Sequence, residues 1–254
     1  MADGREVLHM GDTALWTMLK EMKSPKYRWV DLTHELSPDT PHWYGFQPLG
    51  IRTLFDFDQA PMKVFEYTVP GQYGTHVDVP SHFHRDGRSA EQIRVDEFAY
   101  PLCVIDMSAK CAADCDCAMV VDDVLAWEKV HGKVPEGAFV ALRSDWHKRP
   151  AKEFDNKDAE GNAHYPGWDL DTVKWMCAER SIGAIGHETP DPDPACRPGF
   201  AAEDYILSQD KLNVELLCNL DKVPPTGAII FCTFPRLKDG TGFPARCFAI
   251  CPAE

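Results

Sequence analysis

The chain is predicted to fold as a mixed α/β domain with more sheet than a doubly wound fold. Three observations predict it. Several short apolar runs have the length and composition of buried strands. Only a few amphipathic stretches read as helices, interleaved with those strands. No internal repeat or low-complexity linker divides the 254 residues, so 1–254 reads as a single domain, with 1–25 as an N-terminal extension or helix.

Taken in order, Lys63 to Val69 mixes β-branched and aromatic residues, as strands do. Pro101 to Met107 is an apolar run closed by polar residues, and Phe139 to Arg143, Ala228 to Phe234 and Arg246 to Cys251 are similar. Asp122 to His131 carries Val124, Leu125 and Trp127 at helical spacing, with Gly132 able to end the helix. Asp169 to Arg180 places Leu170, Val173, Met176 and Cys177 on one face, with Asp169 as N-cap. A third helix is expected over Ala202 to Gln209.

Composition narrows the function. The formal net charge is −14, from 40 acidic and 26 basic residues. Such a surface repels nucleic-acid phosphates and anionic membranes, and no basic stripe offsets it. No apolar run approaches the ~20 residues that span a bilayer, and the first residues lack the apolar core of a signal peptide. The expected location is cytoplasmic, with the ten cysteines reduced. Cys111, Cys115 and Cys117 form a C-x3-C-x-C cluster. A structural zinc would want a further pair or a nearby His; none follows closely, so a surface loop with free thiols is expected.

The segment that carries chemistry is Gly71 to His84, GQYGTHVDVPSHFH. On an extended chain His76 and Asp78 point to the same side, because the strand repeat is two residues. Gln72 shares that face if the extension persists. Gly74 lets the backbone bend or pack closely. Pro80 turns the chain, so that His82 and His84 could swing back beside the first pair. Such a nitrogen and oxygen donor set suits Zn²⁺ or Mn²⁺. A nucleophile elbow, a phosphate loop and a dinucleotide-binding glycine turn are all missing from the sequence.

Gly74 to Phe83, GTHVDVPSHF, resembles the G-T-H-x-D-x-P-x-H-F signature of the metal-dependent cyclase family, which includes bacterial kynurenine formamidase and isatin hydrolase. The resemblance runs from about Asp31 to Pro252. Asp31 to Ser37, followed by Asp39 to Pro41, looks like the family's first strand and turn. Leu142 to Trp146 looks like its central strand end, Gly186 to Asp193 like its acidic loop, and Glu215 to Leu220, Phe234 to Arg236 and Gly242 to Arg246 like its closing section. It implies a swivelling β/β/α-type fold around a curved sheet, in homodimers or homotetramers. It also implies His76 and Asp78 as metal ligands, Glu215 as an acid reaching the metal, and His82 as the residue that moves protons.

Three positions depart from the family pattern. Gln72 stands where the best-known members have His, as a candidate ligand or the holder of a bound water. Members with two metals use a His about twelve residues before the glutamate; here Ala202 to Tyr205 has none, so one Mn²⁺ or Zn²⁺ per chain is expected. His187 in the acidic loop is a candidate ligand or substrate contact. The implied activity is hydrolysis of a small cyclic or aryl amide: the metal lowers the pKa of a water toward ~7, the activated water attacks the carbonyl, and His82 carries protons. Trp43, Tyr44, Phe46, Phe65 and Tyr67 would suit a flat ring if they line the pocket, and are core otherwise. A lactone hydrolase, or a non-catalytic metal- or ligand-binding member, are the rival readings, with thiol redox sensing at Cys111 to Cys117 a weaker one.

Overall fold

The computed structural model describes residues 13–253. Its elements run α1 (Ala14–Met22), β1 (Tyr27–Asp31), β2 (Gly50–Phe55), β3 (Val64–Thr68), β4 (His76–Asp78), β5 (Ala99–Asp106), α2 (Ser108–Ala113), β6 (Ala118–Met119), α3 (Val121–His131), β7 (Phe139–Arg143), β8 (Gly167–Trp168), α4 (Leu170–Arg180), β9 (Ala184–His187), α5 (Ala201–Ser208), β10 (Leu212–Glu215), β11 (Ala228–Thr233), β12 (Gly242–Pro244) and β13 (Arg246–Pro252). All five expected strands are present, as β3, β5, β7, β11 and β13, and the three expected helices are α3, α4 and α5. The part of the N-terminal expectation before residue 13 lies outside the described residues. Of the stretch read as first strand and turn, Asp31 ends β1, and beyond it Thr33 makes an isolated bridge to Leu217.

Nine strands form one sheet in the order β1-β13-β11-β5-β7-β9-β10-β4-β12. Its centre, β5-β7-β9-β10, is parallel. The flanks are antiparallel. The central strands are apolar on both faces because both faces are covered. Leu102, Val104, Phe139 and Ala141 belong to one core, which Val30 of β1 and Val77 of β4 also join, so the sheet curls on itself. The intervening residues Cys103, Ile105, Val140 and Leu142 face the other way, onto Val124 and Trp127 of α3, Val173 and Met176 of α4, and Ile206 and Leu207 of α5.

The helix ends behave as the sequence indicates. Asp169 accepts from the Asp171 N–H at 3.1 Å and starts α4. Gly132, at φ +90°, closes α3. No helix among the described residues is long and apolar enough to cross a membrane. The cysteine cluster departs from expectation. Cys111 and Cys117 are only 4% and 6% exposed and belong to the helix-side core, with their sulfurs 3.5 Å apart. The 2-residue pairing of β6 with β8 draws this segment inward, and Cys115 alone stays partly exposed.

His34, just after β1, meets the Phe154 ring edge-on, with centroids 6.0 Å apart. Burial, then the neighbouring His147, pushes its imidazole down to about 4 from 6.5. The unfolded chain therefore takes up this proton first as the pH falls. The stability involved is complete above 6.5 and is lost toward 4, by up to roughly 3 kcal/mol. Thermal midpoints measured across this window should fall with pH, and His34→Gln should flatten the fall. An unchanged slope in that variant would exclude His34 as the source.

Candidate metal centre

The segment 71–84 folds as its spacing suggests. His76 and Asp78 lie on β4 with their side chains on one side, His76 Nε2 being 3.3 Å from Asp78 Oδ2. Val77 between them points into the apolar core. Strand β10 runs antiparallel beside β4 and sets Glu215 opposite His76 and Asn213 opposite Asp78. Glu215 thus faces the same way as His76, its Oε2 3.5 Å from the His76 Nε2, while Asn213 Nδ2 donates to Glu215 Oε1 at 3.1 Å.

Two glycines make the approach possible. Gly74 adopts φ +61°, which orients its carbonyl toward His76 Nδ1 at 2.8 Å. A carbonyl only accepts, so Nδ1 carries the hydrogen and Nε2 presents its lone pair to Asp78 and Glu215. Gly242 of β12 lies opposite Asp78. A Cβ there would come within 2.6 Å of Gln72 Nε2 and 2.9 Å of Asp78 Oδ1. Gln72 sits in a turn rather than on an extension of β4; its amide nitrogen donates to Thr241 Oγ1 at 3.2 Å, and it lines the same cavity as His76 and Asp78.

The donor atoms are buried and incompletely paired. His76 Nε2 and both Asp78 carboxylate oxygens have no hydrogen-bond partner among the described residues. Leaving such atoms unsatisfied in the interior is costly. One nitrogen and two carboxylates within 4.8 Å of one another make a set that a divalent cation would satisfy. Burial alone would push Asp78 up, but the His76 imidazole beside it holds it below the usual carboxylate range. His76 is correspondingly raised: burial opposes its charge and the Asp78 carboxylate outweighs it. Glu215 is held well above its ordinary value, first by burial and then by Glu203, Asp78 and Asp191. A cation entering here would displace protons, so its affinity would rise with pH.

His82 stands apart from this triad. It closes the turn Pro80–His82, lines the cavity, and keeps about 30% of its side chain exposed. Its Nε2 lies 3.8 Å from Glu203 Oε1, and Asp78, His82 and Glu203 make a second close group. Glu203 is held by Asp193, whose carboxylate accepts the Ala202 and Glu203 N–H groups at 2.9–3.1 Å at the start of α5. Burial, then Asp78, Asp191 and Asp193, raise Glu203 well above its usual range.

Sequence reasoning passed over Glu203 and Asp191, both of which line the cavity. Glu203 had a signal: it stands twelve residues before Glu215, where the resemblance looked for His. His187 is wholly buried, with Nε2 3.8 Å from Glu215 Oε1, and does not reach the cavity. Burial, then His76, pushes it down to about 3, so it is neutral. His84 turns to the surface instead, against the Asp204 carbonyl at 2.9 Å.

The cavity over these groups has a volume of about 280 Å³. Trp43, Phe46, Phe83 and Phe200 form its apolar walls. Of the aromatic residues considered from sequence, Trp43 and Phe46 reach it, whereas Tyr44, Phe65 and Tyr67 are exposed rather than core.

Residues 30–194 match the family described as "Putative cyclase". The chain belongs to the cyclase family. Relatives of this cyclase-family chain span nearly its full length. It is 30% identical over 243 residues to the isatin hydrolase of Roseibium aggregatum, covering 88% of this chain and 91% of that one. It is 30% identical over 228 residues to the kynurenine formamidase of Bacillus anthracis, covering 89% and 97%. The crystal structure of an isatin hydrolase bound to the product analogue thioisatinate superposes with a TM-score of 0.88 at 28% identity, covering 96% of this chain and 100% of that one. The mixed α/β fold with its large curled sheet is thus the fold of the family.

Proposed function

We propose that this protein is a metal-dependent hydrolase that opens small cyclic or aryl amides at the carbonyl–nitrogen bond. The observation that carries the reading is the buried His76, Asp78 and Glu215 group at the floor of an aromatic-walled cavity, where His76 Nε2 and both Asp78 oxygens have no hydrogen-bond partner among the described residues. The relatives named isatin hydrolase and kynurenine formamidase support the bond class.

His76 Nε2, Asp78 and Glu215 would hold one divalent cation, with Gln72 at its margin as a further donor or the anchor of a water. Nitrogen and carboxylate donors favour Zn²⁺ or Mn²⁺. Bound there, the ion would lower the pKa of a water toward ~7 and polarise the substrate carbonyl. His82 takes the proton from the attacking water and returns it to the leaving nitrogen, giving a carboxylate and a free amine. Its partial exposure beside the cavity lets it exchange protons with solvent between turnovers. Trp43, Phe46, Phe83 and Phe200 receive a flat ring and exclude water around the reacting bond. Neutral His187, on the neighbouring strand β9, lies beside Glu215 with its Nε2 3.8 Å from Glu215 Oε1.

The test is removal of metal by a chelator, followed by assay on isatin and on an aryl formamide. Turnover should vanish and return with about one equivalent of Mn²⁺ or Zn²⁺ per chain. Preference for lactones would move the substrate class. Tight metal with no turnover on any amide or lactone would leave a binding protein and end the reading.

The single-domain reading rests on a sheet that draws strands from Tyr27 through Pro252. A homodimer or homotetramer is supported by α1 and the β2–β3 hairpin. No residue of α1 is buried, and Leu15 and Trp16 are 76% and 70% exposed. Among the described residues the hairpin pairs only with itself, and it exposes Ile51, Leu54, Phe55 and Tyr67. A lone two-stranded hairpin is marginal in water, so a second copy is the expected cover. Light scattering should give the mass of two or four chains, falling toward one in a Trp16→Asp, Phe55→Asp double variant. A monomeric wild type would overturn this.

A further inference from the structure

We propose that Cys115, Asp116 and His164 form a second, peripheral site for a zinc-class divalent cation, separate from the His76 centre. From sequence, the C-x3-C-x-C run lacked a histidine to complete a metal site. The fold supplies one and sorts the thiols. Cys111 and Cys117 turn into the core, while Cys115 stays partly exposed in the turn after α2. His164 comes to that turn from a loop 48 residues beyond Asp116. The thiol, carboxylate and imidazole atoms all lie within 4.8 Å of one another.

Charge argues in the same direction. His164 Nδ1 is 2.8 Å from Asp116 Oδ2 and its Nε2 is 3.3 Å from Asp158 Oδ2. Among the described residues these are the ion pairs of both carboxylates, so one imidazole is set against two acids, with the exposed Asp114 in the same turn. A second thiol stands near: Cys196 Sγ is 3.9 Å from the Asp116 carbonyl oxygen. A sulfur, a nitrogen and an oxygen donor converging at one point match the borderline-soft Zn²⁺. They do not match Mg²⁺ or Ca²⁺, which take oxygen. On binding, Cys115 and His164 give up their protons to solvent and the cation takes their place.

The site's position gives it a structural use. His164 and Cys196 border a cavity of about 570 Å³ that shares Trp43, Asp191 and Phe200 with the catalytic cavity. A cation at Cys115 would tie the loop bearing His164 to the turn after α2, and so fix the outer wall of the substrate approach.

Cobalt distinguishes the two sites, because the His76 centre offers only nitrogen and oxygen donors. Metal-free protein titrated with Co²⁺ should develop a near-ultraviolet thiolate-to-cobalt charge-transfer band. The band should persist in His76→Ala and vanish in both Cys115→Ser and His164→Gln. Zinc-loaded wild type should hold one more Zn per chain than Cys115→Ser. No charge-transfer band in the wild type would overturn the site and leave an ion-paired histidine. An undiminished band in Cys115→Ser would likewise overturn it, assigning the cobalt to other thiols.

Discussion

His76→Ala should abolish metal binding and lower turnover by at least about 10³-fold. The variant removes the imidazole whose Nε2 faces both Asp78 and Glu215. What remains is two buried carboxylates without the group that offsets their charge. Glu215 is already held well above its usual range by burial and its acidic neighbours, and without His76 the pair would retain protons rather than a cation. Loss of the cation forfeits several kcal/mol of carbonyl polarisation and water activation, and each 1.36 kcal/mol is about tenfold in rate. Elemental analysis beside a turnover assay checks this. A His76→Ala protein that still carries one metal per chain would move the centre elsewhere, toward Asp78, His82 and Glu203.

His82→Ala should have the opposite signature: metal retained, turnover lost. His82 lies beside Glu203 and outside the His76 triad, so its removal leaves the three donors untouched. A positioned general acid or base contributes roughly 10²–10⁴-fold. The fall should appear in kcat rather than in KM, because proton transfer occurs only on the way to the transition state. Added imidazole should restore part of the rate through the space left in the cavity. Loss of metal in His82→Ala would make His82 a ligand and would replace the proton-transfer role proposed for it.

Much of this protein was legible in its sequence. The period of two put His76 and Asp78 on one side and Val77 on the other, and β4 bears that out. Gly74 marked a backbone able to bend or pack closely, and its φ of +61° shows the bend. Asp169 and Gly132 marked helix ends. Each is a local effect, settled within a few residues by strand geometry, capping or glycine's access to positive φ. The ten-residue signature carried family membership as well, because its residues are contiguous.

What only the tertiary structure decided depends on register between distant strands. That Glu215 stands opposite His76 follows from the pairing of β10 with β4, segments well over a hundred residues apart. Glu203 enters the cavity because Asp193 caps α5 and turns its first residues inward. His187, polar and in an acidic loop, looked like a ligand or a substrate contact, but β9 lies at the sheet's interior and buries it entirely. The three cysteines of one short run were divided between core and turn, and a histidine from a remote loop was brought to the one left outside. Burial and convergence of this kind are properties of packing, which residue spacing along the chain does not encode.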